Sequence, residues 1–160
     1  MNDRTRSATG LVVALALCYG AAAVGGLFGA GGTGNWYANL ARPSWTPPSW
    51  VFGPVWTILY GMMAVAVWLI WLNRRRRPAA APMVLFAVQL VFNAAWSPLF
   101  FGLHRPDLAF ADIVLLWLAL VASVWLFLRR SALAGLLLVP YLLWVSFAAA
   151  LNFAIWRLNV

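Results

Sequence analysis

Apolar residues run along this chain in five long blocks with little polar interruption: roughly Ser7 to Phe28, Trp50 to Asn73, Pro82 to Leu103, Leu108 to Leu128 and Leu133 to Trp156. Each reaches the length of about 20 mostly apolar residues that a helix needs to cross the hydrocarbon core of a bilayer. Inside lipid only helices and closed barrels satisfy every backbone N–H and C=O, and the blocks lack the alternation of a barrel strand. The pattern predicts an all-α integral membrane protein, one domain over residues 1–160, built as a bundle of five transmembrane helices. The run from Ala8 to Ala30 is long enough to span and ends in glycine-rich sequence rather than a small-residue cleavage site, so it is read as a retained first helix.

The connections differ in kind. Loop 29–49 separates the first two blocks, and the stretch Trp36 to Trp56, WYANLARPSWTPPSWVFGPVW, holds four tryptophans and four prolines. Pro43, Pro47, Pro48 and Pro54 fix φ and remove backbone donors, so Arg42 to Ser49 is expected to be a stiff, extended or turning excursion. Its aromatics suit either a lid over a flat ligand or an anchor at the lipid–water boundary. The other connections, RRRRPAAA, HRPD and RRSA, are short and polar, which predicts antiparallel neighbours for sequential helices.

Composition agrees with a membrane protein: 65% of residues are hydrophobic, 9% are charged and the mean hydropathy is +0.87. In a soluble chain a net charge of +8 would suggest nucleic acid. Here every basic residue is arginine, and most lie at the ends of apolar runs. Arg4, Arg6, Arg74, Arg75, Arg76, Arg77, Arg129 and Arg130 fall on one side of the five spans; Arg42, Arg105 and Arg157 fall on the other. The positive-inside rule then places the N-terminus inside and the first loop and C-terminus outside, in a bacterial membrane. Topology accounts for the charge, and nucleic acid is not an expected partner. Cys18 lies alone within the first span and can form no intrachain disulfide.

Several chemistries lack their residues. Asp112, near the start of the fourth block, has no charged partner at membrane depth, which argues against a proton- or sodium-coupled pump. His104 stands without Cys, Glu or a second His nearby, so no metal site is expected. Neither a Ser/His/Asp set nor a nucleotide-binding fingerprint is present.

What remains is amide and aromatic. Gln89 and Asn93 lie at i and i+4 with Trp96 a turn beyond; Trp144, Ala148 and Asn152 form a second row, continued backwards by Pro140; Trp56 and Tyr60 form a third face. A small residue between a tryptophan and an amide leaves a recess with a flat wall and a hydrogen-bonding edge, fit for an apolar plate with a polar rim. The competing reading is that these amides bond between helices and the aromatics are core. In the first span Ala16, Gly20, Gly25 and Gly29 have the small-xxx-small spacing that permits close helix approach. Trp68 and Trp71, beside the arginine run, read as an interfacial belt.

Three segments together, WYxxLxRPxWxPPxWxFxPxW (Trp36 to Trp56), QLxFNxxWSPxFFG (Gln89 to Gly102) and PYLLWxxFAxxLNFxxWxLN (Pro140 to Asn159), resemble the TspO/MBR family, the tryptophan-rich sensory proteins related to the mitochondrial translocator protein. The resemblance covers essentially the whole chain in order. It implies a five-helix bundle, often a homodimer, whose pocket is capped by the first loop and binds porphyrins such as protoporphyrin IX and benzodiazepine-type ligands, with no cofactor required. Carried over by motif, Trp56, Tyr60, Asn93, Trp96, Trp144 and Ala148 line that pocket, and Trp36, Trp45, Pro47 and Trp50 belong to the lid; Asn152 joins them from the row described above. The implied function is a tetrapyrrole receptor or sensor. The alternatives are porphyrin or sterol transport and a light-dependent porphyrin-degrading activity involving Trp56 and Trp144. The family's sterol-recognition segment corresponds to Leu151, Phe153 and Arg157; Phe replaces the motif's Tyr, so sterol specificity is expected to be weak.

Overall fold

A chain this apolar must satisfy its backbone within itself, and it does so as helix. The structure, a computed structural model, describes residues 2–32, 35–75 and 78–160; Thr33 and Gly34 of the first loop, and Arg76 and Arg77 of the arginine run, lie outside the described residues. The helices are α1 (Asp3–Gly32), the short α2 (Asn35–Asn39), α3 (Ser49–Leu72), α4 (Ala80–Ser97), α5 (Pro106–Leu128) and α6 (Ala132–Leu158). A 3-10 turn follows α3 at Asn73–Arg75, and a π turn, Pro98–Gly102, continues α4. Five of these helices are long and apolar enough to cross a membrane, and the described residues contain no strand.

The helix ends follow from local chemistry. Pro106 opens α5, where a missing N–H costs nothing. Ser131 caps α6, its Oγ accepting from the Ala134 N–H at 3.3 Å. The α5–α6 turn is tight because Gly135 lies against Leu128: a Cβ there would sit 2.4 Å from Leu128 Cγ and 2.7 Å from its backbone N. At the arginine end, Arg74 donates to the Trp71 carbonyl at 2.7 Å and lies over the Trp71 ring at 3.5 Å. Trp68 is more than a belt residue, since its Nε1 donates to the Ser7 carbonyl of α1 at 2.9 Å.

The five spans close into a ring. α1 packs on α3, α3 on α6, α6 on α5, α5 on α4 and α4 back on α1. Short connections do make neighbours of α4, α5 and α6, as expected. The α3–α4 pair departs from that expectation: these helices meet only lightly across the ring, because α1 lies between them. The ring is filled unequally. Towards the arginine end its interior is closed by Met63, Ile70, Leu120, Phe127 and Leu138, all buried. Towards the Trp/Pro loop it is open.

Candidate functional site: a cavity beneath the Trp/Pro loop

The open half of the ring encloses a cavity of about 1210 Å³, larger than the roughly 300–1,000 Å³ of usual small-molecule sites. Every long helix contributes the part nearest the loop: α1 from Tyr19 to Gly29, α3 from Ser49 to Tyr60, α4 with its π turn from Asn93 to Phe101, α5 through Ile113 and Leu116, and α6 from Trp144 to Ile155.

Two walls are opposite in character. On α1, Ala22, Gly25, Gly26 and Gly29 share one helical face and present nearly bare backbone. A Cβ added at Gly26 or Gly29 would meet nothing within 4 Å, and one at Gly25 would meet only Ser97, at 3.4 Å. Gly25, Gly26 and Gly29 therefore widen the cavity within the bundle, and Gly25 also lets α4 approach at Ser97. Aromatic rings make the facing surfaces. Trp56 lies beside Tyr60 at 5.5 Å between centroids, Trp144 meets Phe52 edge-on at 5.8 Å, and Trp96 stacks on Phe100 at 5.0 Å. The π turn lets consecutive Phe100 and Phe101 both reach the cavity.

The floor is polar and closed by hydrogen bonds among three helices. The Tyr60 hydroxyl donates to Asn93 Oδ1, Asn93 Nδ2 donates to the Tyr141 hydroxyl at 2.8 Å, and that hydroxyl donates to Gln89 Oε1 at 3.0 Å. All four side chains are buried. Higher on the wall, Trp96 Nε1 donates to Asn152 Oδ1 at 2.9 Å, and Asn152 Nδ2 donates to the Pro106 carbonyl at 2.8 Å. Trp144 differs: its indole N–H is buried, has no hydrogen-bond partner, and belongs to a cavity-lining residue. Gln89 Nε2 and Asp112 Oδ2 are likewise buried and unpartnered, but neither residue lines the cavity.

The loop is fastened to the bundle through α2 and Ala41. On α2, Trp36 stacks on His104 at 4.3 Å and Tyr37 meets Phe101 edge-on at 5.5 Å. His104 adopts φ 55°, a left-handed conformation uncommon for a residue with a side chain. Further along, the side-chain amide of Asn159, just past α6, clasps Ala41 on both sides: Ala41 N–H donates to Oδ1 and Nδ2 donates to the Ala41 carbonyl, each at 2.9 Å. Thr46 then turns back on Pro43, donating through both N–H (3.0 Å) and hydroxyl (2.7 Å) to its carbonyl.

Of the residues singled out from sequence, Pro47, Trp56, Tyr60, Asn93, Trp96, Trp144, Ala148 and Asn152 line the cavity together. Trp36, Trp45 and Trp50 do not. Trp36 holds α2 to Phe100 and His104, Trp45 lies edge-on to Phe147 with 48% of its surface exposed, and Trp50 is 74% exposed. The sterol-motif residues point apart: Leu151 is buried and lines the cavity, whereas Phe153 faces outward between Phe110 and Trp156, and Arg157 is exposed. Sequence reasoning missed Tyr141, which ties Asn93 to Gln89 beneath the lining, and Arg42 at the mouth, and it took Gly25 and Gly29 for helix approach without seeing a cavity face on α1. That face was open to detection, since Ala22, Gly25, Gly26 and Gly29 fall at helical spacing.

Comparison with known proteins bears on the whole chain. The TspO/MBR family matches residues 13–157. A tryptophan-rich protein TspO from Chlorobaculum tepidum is 45% identical over 153 residues, covering 92% of this chain and 97% of its own length. A tryptophan-rich sensory protein from Cereibacter sphaeroides is 40% identical over 125 residues, 78% of this chain and 77% of its own. The human translocator protein is 42% identical over 127 residues, 78% of this chain and 75% of its own.

Proposed function

The chain is a multi-pass membrane protein that belongs to the TspO/MBR family, and from that premise we propose that it is a membrane receptor for a tetrapyrrole such as protoporphyrin IX, held in the cavity beneath the Trp/Pro loop. The observation that carries this reading is the cavity's cross-section: aromatic rings on α3, α4 and α6 face a bare glycine wall on α1 in a space of about 1210 Å³. A large, flat, apolar molecule needs such a slot, with ring faces to stack on and no side chains opposite. The sensory and translocator names of the relatives fit a protein that handles such molecules. In this reading the loop faces outward and the arginine-rich end inward, and a reporter fused after Val160 reads non-cytoplasmic.

Binding is tested in lipid nanodiscs by quenching of tryptophan fluorescence with protoporphyrin IX. Saturable quenching is expected, and Ala148→Phe, which projects a ring into the slot, weakens it strongly. Unchanged affinity in both Ala148→Phe and Trp144→Phe removes the cavity reading.

A second reading has one observation in its favour: Trp56 and Trp144, both oxidisable indoles, line the same cavity. A porphyrin held there would be degraded in light and oxygen. Loss of porphyrin absorbance that needs both, and that vanishes in the Trp56→Phe, Trp144→Phe double variant, supports this activity; equal loss in that variant excludes it.

A further inference from the structure

Among the described residues lining the cavity, one carries a formal charge, Arg42. It stands at the mouth, where the chain passes from α2 into the proline-rich stretch, and its side chain is exposed. The backbone beside it is fixed, because Asn159 clasps the N–H and the carbonyl of Ala41 and also donates to the Ile155 carbonyl at 2.7 Å. The guanidinium lies over the Tyr37 ring at 5.1 Å from its centroid. Stacking on a ring uses the flat face of a guanidinium and leaves its in-plane N–H donors free.

Among the described residues no carboxylate takes those donors. The chain has three acidic residues. Asp107 is engaged bidentately by Arg105, Nε to Oδ1 at 2.8 Å and Nη2 to Oδ2 at 2.6 Å, and Asp112 is buried on α5. Among the described residues the Arg105–Asp107 contact is the ion pair present. Arg42 is therefore a preset cation at the rim of an otherwise uncharged, aromatic-walled slot.

We propose that Arg42 is a specificity-determining residue that reads a carboxylate on the ligand's edge, so that the cavity selects flat apolar acids bound with the ring system inside and the acid at the mouth. The proposal rests on the cavity being the tetrapyrrole site and names the ligand class that site accepts. Arg pairs with a carboxylate through two parallel hydrogen bonds, which give the contact a fixed geometry even at an exposed mouth. An ester of the same acid keeps the plate and loses the charge.

The test is a two-by-two comparison in nanodiscs of neutral phosphatidylcholine. Protoporphyrin IX and its dimethyl ester are each titrated against the full-length protein and against Arg42→Ala, with Arg42→Lys as the conservative variant. The free acid is expected to lose roughly five-fold in affinity in Arg42→Ala, the upper range for an ion pair at an exposed site. The ester's affinity stays the same in both proteins, and Arg42→Lys retains part of the preference for the acid. An equal loss for acid and ester overturns the proposal, because it makes Arg42 a support of the loop. An unchanged affinity for the acid also overturns it, and in that outcome the cavity reading survives. If neither porphyrin binds the unaltered protein, the cavity reading falls and this inference falls with it. Should Arg42→Ala weaken the acid only when phosphatidylglycerol is present, the residue serves a lipid phosphate instead, and the proposal is again overturned.

Discussion

Trp96 and Trp144 offer a matched pair of perturbations, because both line the cavity and only one has its indole N–H satisfied. Trp96→Phe breaks the 2.9 Å bond to Asn152 Oδ1. Interhelical bonds in membrane proteins contribute about 0.6 kcal/mol on average and up to about 1.7 kcal/mol. Trp144→Phe breaks no bond within the protein and removes a buried donor that has no partner, the kind of group whose desolvation costs about 1–3 kcal/mol. Both changes sacrifice the same part of the ring, so that loss largely cancels between them. The unliganded Trp144→Phe protein should therefore be about 2 kcal/mol more stable than Trp96→Phe, a separation on the order of 4–8 °C in Tm for a chain of this size. Ligand binding should not separate them through a lost hydrogen bond, because the Trp96 N–H is committed to Asn152 and the Trp144 N–H is sealed from the cavity. Thermal unfolding followed by near-ultraviolet circular dichroism in nanodiscs, with and without protoporphyrin IX, reads both outcomes. If the unliganded Trp144→Phe protein melts at or below Trp96→Phe, the argument from the unpartnered indole is wrong.

Other perturbations act on the frame. Asn159→Ala releases Ala41 from both of its bonds and should speed porphyrin dissociation several-fold with little change in Tm, measured by stopped-flow fluorescence. Gly29→Phe meets open space at its Cβ, so the fold should persist while the slot narrows; circular dichroism should be unchanged and porphyrin affinity should fall at least ten-fold. Gly135→Ala drives a methyl into Leu128 and its backbone, and should cost about 1–3 kcal/mol, seen as a lowered Tm. Asn93→Leu strips the acceptor from Tyr60 and the donor from Tyr141 and should cost about 1–3 kcal/mol in the same assay, whereas Gln89→Leu, which removes one bond and one unpartnered amide donor, should cost less.

The spans were legible because lipid imposes one rule on every residue of a block, and the rows on α3, α4 and α6 because helical spacing alone puts Trp56 with Tyr60, Asn93 with Trp96, and Trp144 with Ala148 and Asn152. Ring order was not legible. A short connection suggests adjacency, but the link between α3 and α4 is long enough for α1 to lie between them. The loop tryptophans could not be sorted for a different reason: a rigid aromatic stretch looks the same whether a ring faces a ligand, a neighbouring ring or lipid. Only the positions of Phe100, His104 and Phe147 assign Trp36 and Trp45 to fastening the loop. Arg42 was hidden among the charges that set topology, and Tyr141 behind the proline that precedes it. The glycines of α1 were noticed but assigned to helix contact, since spacing tells which face they share and not what that face meets.

The unequal filling of the ring makes the protein a cup and not a tube. A molecule that descends from the loop side reaches Tyr60 and Asn93, and beneath them lie Tyr141, Met63, Leu120 and Leu138, each fully buried. A porphyrin-sized plate has no axial route to the arginine end. Whatever occupies the cup has its opening at the rim, and passage to the arginine end would have to dismantle the packed base.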